Sequence, residues 1–444
     1  MKILKFGGTS VGSAERMRSV ASLIQSDEPQ IVVLSAMSGT TNALVQIAEK
    51  LYLNKNQEAT ALIDALHDKY KQVVEEFYTS TDIKRKSNEL ISNHFEYIRS
   101  FTLDLFTIHE ERAVLAQGEL LSTALFQFYL EEQGISSVLL PALNFMKIDE
   151  NEEPDADYIA KNIKAELAQY PNTKLFITQG YICRNAFGEI DNLKRGGSDY
   201  SASLIGAAAD ASEIQIWTDI DGMHNNDPRI VKNTYPIAEL SFDEAAELAY
   251  FGAKILHPSS VLPAKQKNIP VRLLNTMQPE AKGTIISAAS SGGSIKAVAA
   301  KDDITAIKIK SGRMLLAYGF LRSVFEVFER YKTPIDMITT SEVAVSITID
   351  NSKFLNEIVA ELKEFGQVEV DTDQTIICVV GDFISDRSGA GLKIFESLKS
   401  IPIRMISYGG SKNNISLLIN TSDKVEALTR LNDGIFERNV GYNA

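Results

Sequence analysis

Hydrophobic and polar positions along this chain predict strands and helices in alternation. Short apolar runs at Ile31–Leu34 and Ile214–Trp217 have the length of buried strands, and a polar turn follows each of them. Between Thr40 and Gln117 there is neither Gly nor Pro, and apolar residues recur at helical spacing, which predicts a set of long helices. Further strands are expected at 137–140 and 174–178. This alternation favours a mostly parallel sheet covered by helices.

The C-terminal part of the chain has a different pattern. The composition changes to AASSGG at 288–293, which indicates a linker or domain boundary. An internal repeat follows, with TPIDMI at 333–338 and IPIRMI at 401–406, and each copy leads into a strand of alternating character at 344–349 or 415–419. The sequence therefore predicts two copies of a small βαβ-type unit.

Composition narrows the class of protein. A chain of 444 residues is too long for one core, so two or three domains are expected. The net charge of −13 argues against nucleic-acid binding, and no apolar run approaches a membrane span. Two cysteines, Cys183 and Cys378, and an N-terminus without an apolar signal region predict a cytoplasmic location. The five histidines lack metal-ligand spacing, so no protein-held metal is expected.

The segment 191–229 carries the strongest chemical signal. It places Arg195-Gly196-Gly197-Ser198-Asp199 before an Ala-rich helix, and the next strand ends in Thr218-Asp219 before a loop that closes on Arg229. Ligands bind at such strand and helix ends in α/β sheets, and backbone N–H groups at a helix N-terminus favour anions. The pattern favours a phosphate or carboxylate site over a turn that serves only for packing.

Weaker signals lie earlier and later in the chain. Lys5 precedes Gly7-Gly8 in a loop that could wrap phosphate oxygens, although a simple strand–turn–helix fits equally well. The hydroxyl-rich turn at 35–42 is interpreted as a helix cap, with donation to a ligand carboxylate as the alternative. Glu119 is interpreted as an acidic residue near the start of an apolar helix, with a role in binding an amine as the alternative. Lys254 is interpreted as a charge just past a helix end.

Seven motifs occur in order: KFGGTSVG, SAMSGTTN, QGELLST, KRGGSDYSA, WTDIDG, DPR and FGAKILHP. With these motifs the chain resembles an aspartokinase of the amino-acid-kinase superfamily, and its C-terminal repeat resembles that family's paired ACT domains. The resemblance implies an α/β fold: an amino-acid-kinase domain at 1–290, with a mainly parallel sheet between helices, plus two C-terminal α+β ACT domains. The first ACT domain would span 303–372. The second would combine 294–302 with 373–444.

The resemblance implies ATP-dependent phosphorylation of the β-carboxylate of L-aspartate, the first step of aspartate-family amino-acid biosynthesis. A carboxylate is already ionised at neutral pH, so the reaction needs positioning and positive charge more than a general base. By resemblance Lys5 and Lys254 supply that charge and Asp199 orients Lys5. The residues implied for aspartate are Thr41, Glu119, Arg195 and Ser198. Those implied for ATP are Lys5, Gly7, Gly8, Thr218, Asp219, His224, Arg229 and Lys254. Mg²⁺ is implied as the companion of ATP.

The first repeat further resembles lysine-sensitive aspartokinases, which implies feedback inhibition by L-lysine and a homodimer formed through the ACT domains. It carries Asp336 and Glu342, whereas the second repeat has Arg404 where the first has Asp336. Two carboxylates suit a ligand with an extra ammonium; the simpler interpretation makes them surface charges on a strand. The implied effector residues are Met314, Gly319, Phe320, Leu321, Ile335, Asp336, Thr340, Ser341 and Glu342. L-Threonine is the alternative effector, alone or jointly.

Several positions depart from the family pattern, and three other functions stay open as alternatives. The departures are Lys194 for Gly, Asp191-Asn192 for Thr-Thr, His224 for Tyr, and Ala317 and Pro334 for Ser. The alternatives are a kinase for glutamate, N-acetylglutamate or UMP, an inactive amino-acid sensor, and a structural dimerisation protein. The presence of the charged residues Lys5, Arg195, Asp199 and Lys254 within the motifs favours an active enzyme.

Overall fold

The computed structural model describes residues 1–193, 196–252, 256–288, 295–312, 314, 318–382 and 389–436. The chain forms two compact units, one from Met1–Met223 with Leu256–Ser290 and one from His224–Ile255 with Ser291–Ala444. The division at 290 coincides with the expected end of the kinase domain, but the described residues 224–252 pack with the second unit. Hydrogen bonds explain this, because Asn226 donates to the Leu428 carbonyl at 3.0 Å and Ser411 donates to Glu247 at 2.7 Å.

The first unit combines one large sheet, a small hairpin and helices. Its strands are β1 (Lys2–Phe6), β2 (Gln30–Leu34), β3 (Val138–Leu140), β4 (Leu175–Gln179), β5 (Ile182–Arg184), β6 (Ile190–Asn192), β7 (Glu213–Thr218), β9 (Val271–Asn275) and β10 (Thr284–Ser287). Its helices are α1 (Ala14–Leu23), α2 (Thr40–Tyr52), α3 (Asn56–Phe77), α4 (Thr81–Ser100), α5 (Ile108–Glu132), α6 (Ala156–Ala168), α7 (Gly197–Ala208) and α9 (Leu262–Lys267). Short 3-10 helices span Phe101–Leu103, Ala142–Asn144 and Pro258–Val261.

The sheet of this unit is mainly parallel, as the sequence predicted. Neighbouring strands follow the order β3-β4-β2-β1-β7-β9-β10. Every pair in this series is parallel except β9 with β10, and β1 lies between β2 and β7 with Leu4 opposite Val32 and Gln215. Strands β1, β2 and β4 are almost wholly buried, which explains their continuous apolar character.

The Gly- and Pro-free segment folds into α2, α3, α4 and part of α5, which confirms the prediction of long helices. Large aromatic side chains fill the core between these helices, among them Tyr70, Phe77, Phe95 and Phe126, each at most 1% exposed. Burial of an aromatic side chain contributes about 1.5–3 kcal/mol, so this layer is a major source of the unit's stability.

The second unit consists of a short strand and helix followed by a six-stranded sheet. Its strands are β8 (Glu239–Ser241), β11 (Ile295–Lys310), β12 (Ile338–Thr340), β13 (Ala344–Ile349), β14 (Gln367–Gly381), β15 (Met405–Tyr408) and β16 (Asn414–Asn420). Its helices are α8 (Phe242–Tyr250), α10 (Phe320–Arg330), α11 (Leu355–Leu362), α12 (Ala390–Ser397) and α13 (Lys424–Ile435), with a 3-10 turn at Thr421–Asp423.

The two sequence repeats share this sheet. Its order is β12-β13-β11-β14-β16-β15, and all paired strands are antiparallel. The long strands β11 and β14 pass through both halves, and α10 with α11 and α12 with α13 cover separate apolar clusters. Asp303 and Asp373 have φ of 61° and 56°, and the pairing of β11 with β14 shifts register between Lys301 and Ala306, so the continuous strands are irregular where the two ACT domains were expected to meet. Among the described residues, no helix combines the length and apolar content that a membrane crossing requires.

Candidate active site

A cleft of about 570 Å³ opens in the first unit where four neighbouring parallel strands end. Gly8 and Thr9 follow β1, the turn 35–42 follows β2, Tyr181 follows β4, and Thr218-Asp219 ends β7. Parallel strands direct their carboxyl ends to one edge, and ligands of α/β proteins bind there. With Glu119, Gly197 and Ser198 also in its lining, the cleft contains residues from five of the seven sequence motifs.

The Lys5 side chain is held beside the glycine loop. Its ammonium lies 2.6 Å from the carboxylate of Asp199, and both side chains are largely buried. Gly7 donates its N–H to the Trp217 carbonyl at 3.2 Å, and a Cβ at Gly8 would lie only 3.0 Å from the Ala36 carbonyl oxygen. The loop is thus pressed between β7 and the turn after β2, where a side chain at Gly8 would be crowded.

Two helix N-termini open onto the same cleft. Helix α2 begins after Gly39 and α7 after Gly196, both in the left-handed conformation, and no described side chain caps either helix. The capping interpretation of the turn at 35–42 was therefore wrong, because the cap residue is glycine and has no hydroxyl. The free N–H groups and the positive ends of two helix dipoles favour an anion with several oxygens.

Glu119 lies at the buried wall of the cleft, in the middle of α5. The interpretation of this residue as a helix-start acid was wrong, because α5 runs without a break through Gly118. A Cβ at Gly118 would lie only 2.8 Å from the Ala36 Cβ, so a glycine is needed there for packing. One Glu119 oxygen accepts the Ala36 N–H at 3.2 Å, and the other has no partner among the described residues. Burial raises the pKa of Glu119 to about 8. Such a carboxyl is suited to a cationic ligand group.

Ser198 and Tyr181 complete the wall at the start of α7. Ser35 donates a hydrogen bond to the Ser198 hydroxyl at 2.9 Å, and the Tyr181 N–H donates to Ser201 at 2.8 Å. Tyr181 has a φ of 64°, which is rare for a residue with a side chain. Sequence reasoning missed Tyr181 and included Ser35 only as part of the hydroxyl-rich turn at 35–42. The only available signals were Gly180 before Tyr181 and the hydroxyl content of the turn after β2.

Of the residues implied for aspartate and ATP, Thr41, Ser198, Thr218 and Asp219 also line the cleft. His224 and Arg229 belong to the second unit, where Arg229 makes a two-pronged contact with Asp227 and His224 is hydrogen-bonded to Thr234 at 3.1 Å.

Some of the remaining implied residues, and some of the positions that depart from the family pattern, cannot be placed in the structure. Arg195 and Lys254 lie outside the described residues, as do the departures Lys194 and Ala317. Of the other departures, Asp191 forms a buried ion pair with Arg112, Asn192 is 5% exposed, and Pro334 is exposed.

The proposed effector residues lie in the second unit. A shallow cavity of about 460 Å³ surrounds the start of α10, where Gly319 and Phe320 line it together with Tyr318, Arg322, Ser323, Glu326 and Phe365. Met314 and Ile335 pack against the apolar cluster beneath α10, and Leu321 is 37% exposed. Thr340 ends β12, and Ser341 and Glu342 form the exposed turn after it. Asp336 is not a surface charge, because its side chain is only 1% exposed and is paired with Lys301.

Comparisons with known proteins agree with this architecture. The amino acid kinase family matches residues 1–275, and an ACT domain family matches residues 377–434. The lysine-sensitive aspartokinase 3 of Escherichia coli (strain K12) is 33% identical over 98% of this chain and 99% of its own length. The chain belongs to the aspartokinase family.

Further comparisons extend the family assignment. Chloroplastic aspartokinase 3 of Arabidopsis thaliana is 34% identical over 98% of this chain and 81% of its own length. The crystal structure of E. coli aspartokinase III in complex with aspartate and ADP superposes with a TM-score of 0.84, at 33% identity, over 98% of this chain and 100% of that one. The same enzyme in complex with lysine and aspartate gives 0.82 with the same coverage. The fold is thus an amino-acid kinase joined to ACT domains.

Proposed function

We propose that this chain transfers the γ-phosphoryl group of ATP to the β-carboxylate of L-aspartate, giving 4-phospho-L-aspartate and ADP. The observation that carries the proposal is the convergence of Lys5 and two uncapped helix N-termini on a cleft that also contains the buried carboxyl of Glu119. The first group of features suits phosphate and carboxylate oxygens, and Glu119 suits an ammonium. An amino acid with a phosphorylated carboxylate has both kinds of group.

Substrate recognition is assigned to the wall formed by α5, α7 and the turn after β2. Glu119 faces the aspartate ammonium, and the hydroxyls of Thr41 and Ser198 donate to its carboxylates. Arg195 is the implied guanidinium for the second carboxylate, since a planar fork binds carboxylate through two parallel hydrogen bonds. If Arg195 binds the α-carboxylate, the β-carboxylate is left as the reacting group.

The transfer needs no general base, because the attacking β-carboxylate is already ionised. A carboxylate oxygen forms a bond to the γ-phosphorus while the bond from that phosphorus to the leaving oxygen of ADP breaks. Lys5, which pairs with Asp199, is assigned to stabilise the charge that spreads over the phosphoryl oxygens, and Lys254 is implied for the same task. Thr218 and Asp219 are assigned to the nucleotide.

Mg²⁺ is included in the proposal as the partner of the ATP phosphates. Across the described ranges no three potential ligand residues are grouped to hold a metal by themselves, so the phosphate oxygens would supply most of its coordination. Asp219 lines the cleft and is exposed, so its carboxylate is assigned as the protein ligand of the ion. When bound, Mg²⁺ would neutralise charge on the phosphates.

Regulation by L-lysine at the first ACT domain is also proposed, with a homodimer through the ACT domains and a cytoplasmic location. The E. coli relative is named as lysine-sensitive, and its structure with lysine and aspartate has the same fold. The cavity at Gly319 and Phe320 offers the open N-terminus of α10 to an α-carboxylate, and Glu342 offers an exposed anion. L-Threonine, alone or jointly, remains the alternative effector.

The decisive experiment is an ATP-dependent hydroxamate assay that compares L-aspartate, L-glutamate and N-acetylglutamate under identical conditions. We expect turnover with L-aspartate to exceed turnover with either competitor. Faster turnover of L-glutamate or N-acetylglutamate would assign the chain to another amino-acid kinase, and no turnover of any substrate would favour a sensor. Adding L-lysine, L-threonine or L-methionine to the L-aspartate reaction tests the effector, and only L-lysine is expected to inhibit strongly.

A further inference from the structure

An internal lysine ammonium already binds the carboxylate of Asp336. Lys301, on β11, lies 2.6 Å from one Asp336 oxygen and 2.9 Å from Asp350. The Tyr250 hydroxyl donates to the same Asp336 oxygen at 2.8 Å, and the Lys301 ammonium lies 4.4 Å from the centre of the Tyr250 ring. These four side chains form one polar cluster, which joins α8, β11 and the segments before β12 and after β13.

The cluster shields the Asp336 side chain from solvent. Its side chain is 1% exposed, and its second oxygen is buried without a hydrogen-bond partner among the described residues. Lys301 already pairs with the other oxygen, so a ligand ammonium that bound this carboxylate would have to displace Lys301 or share Asp336 with it. Lys301 would not be left as an isolated charge, because Asp350 is 38% exposed and can keep it as a partner. The head group that Lys301 presents to Asp336 is the same as the side-chain ammonium of L-lysine.

The cluster also fixes the end of α8. Tyr250 is the last residue of this helix, and a Cβ at Gly252 would lie 2.2 Å from the Ala300 carbonyl oxygen, directly before Lys301 in β11. Earlier in α8, Glu247 accepts a hydrogen bond from Ser411 at 2.7 Å. Helix α8 is therefore attached to both repeats, and the motif that contains Lys254 follows it in the sequence.

We propose that Lys301 is an internal counter-ion that competes with a cationic effector for Asp336, and that Tyr250 transmits the result to α8. This inference rests on the effector role proposed above for Asp336. When the effector ammonium replaces Lys301, the Tyr250 hydroxyl must share or lose its acceptor, and the attachment of α8 to Asp336 is weakened. Differential contacts of this kind are what couple a ligand to a conformational equilibrium.

The test is calorimetric binding of L-lysine to the full chain and to its Lys301→Met variant, which keeps the length of the side chain and removes its charge. We expect binding to tighten on the order of tenfold, a typical size for coupling between sites. L-Threonine lacks the side-chain ammonium and should show no such gain. The matched control is Lys308→Met on the same strand, since Lys308 is half exposed and pairs only loosely with Glu369 at 3.7 Å.

Unchanged or weaker binding of L-lysine to a folded Lys301→Met variant would overturn the proposal. Asp336→Asn separates this failure from failure of the effector site. Normal L-lysine binding by Asp336→Asn would remove the effector role of Asp336, whereas loss of binding there without a gain in Lys301→Met would remove only the counter-ion. If neither the wild type nor Lys301→Met binds L-lysine, both proposals fail.

Tyr250→Phe tests transmission and covers the case in which Lys301→Met does not fold. This variant keeps the ring beside Lys301 and removes only the hydroxyl. L-Lysine should bind at least as tightly as in the wild type, while inhibition at saturating L-lysine should decrease. A purely structural role would change melting temperature without separating binding from inhibition. Complete inhibition with unchanged affinity would overturn the role of Tyr250.

Discussion

Gly180 lies directly against Ser198. A Cβ placed at Gly180 would be 2.4 Å from the Ser198 Cβ and 2.9 Å from its Cα, distances that neither residue can accommodate without movement. Gly180 directly follows β4, and Ser198 lies in the first turn of α7, so this contact sets how closely the helix N-terminus approaches the sheet. The absence of a side chain at Gly180 therefore allows Ser198 to take its position in the wall of the cleft.

Gly180→Ala should displace Ser198 and weaken L-aspartate binding. Overpacking of this kind costs about 1–3 kcal/mol, and a shift of the helix start should raise the KM for L-aspartate about tenfold or more. Steady-state kinetics and thermal melting are the measurements. Gly410→Ala is the control, since a Cβ there meets nothing within 4 Å. Equal behaviour of the two variants would mean that the contact with Ser198 does not position the site.

Removing the charge of Lys5 or of its partner should mainly slow the chemical step. In Lys5→Ala and Asp199→Ala we expect kcat to fall roughly a hundredfold or more, because one preorganised charge contact at a transferring group typically has that effect. L-Aspartate binding should change less. Lys2→Ala on the same strand is the control, because Lys2 is 36% exposed and pairs with Glu28 at the surface. Near-native kcat in either site variant would show that its assigned role is wrong.

The fold, and the strand ends that line the cleft, could be predicted because they depend on local sequence patterns. Apolar runs identified the strands that end at the cleft, and the absence of Gly and Pro identified the helices that precede Gly118. Glu119 was misplaced because Gly118 resembled a helix boundary. Only the approach of Ala36, a residue far away in the sequence, explains a glycine inside α5. Long-range packing of this kind has no local sequence signal.

The pairing of Asp336 was hidden for the same reason. Charge alone left two interpretations, a ligand site or a surface strand, and neither included a partner. Lys301 lies 35 positions earlier, and Tyr250 comes from α8, which was expected to belong to the kinase domain. Ion pairs between distant segments depend on the tertiary fold, so sequence reasoning could identify Asp336 but could not determine what it contacts.

The exposed carboxylate of Glu342 should contribute to recognition of L-lysine. Glu342→Gln keeps the size of the side chain and removes its charge, so the concentration of L-lysine for half inhibition should rise about tenfold, the usual effect of a charge-assisted hydrogen bond. Inhibition titrations at fixed L-aspartate measure this. Glu357→Gln in the first turn of α11 is an exposed control. Identical titration curves for both variants would exclude Glu342 from the effector site.

Binding of L-aspartate should release a proton from Glu119. Burial raises its pKa to about 8, so the free carboxyl is mostly protonated at pH 7, and an ammonium beside it favours ionisation. Calorimetry in buffers of different ionisation enthalpy should therefore report release of most of one proton at pH 7, and progressively less above pH 8. The control is Glu131→Gln, an exposed position on α5. Equal proton release by the wild type and Glu119→Gln would contradict this assignment.

The same group should make stability depend on pH in the absence of ligand. Because the pKa of Glu119 is higher in the folded state, the folded chain binds more protons than the unfolded chain between about pH 4.5 and about pH 8. The stabilisation is complete below this window and is lost as pH rises through it. Glu119→Gln keeps a neutral side chain at every pH. The difference in melting temperature between this variant and the wild type should therefore shift in favour of the variant from pH 5 to pH 8 and stay constant above pH 8. A constant difference across this range would mean that Glu119 is ionised in the free enzyme.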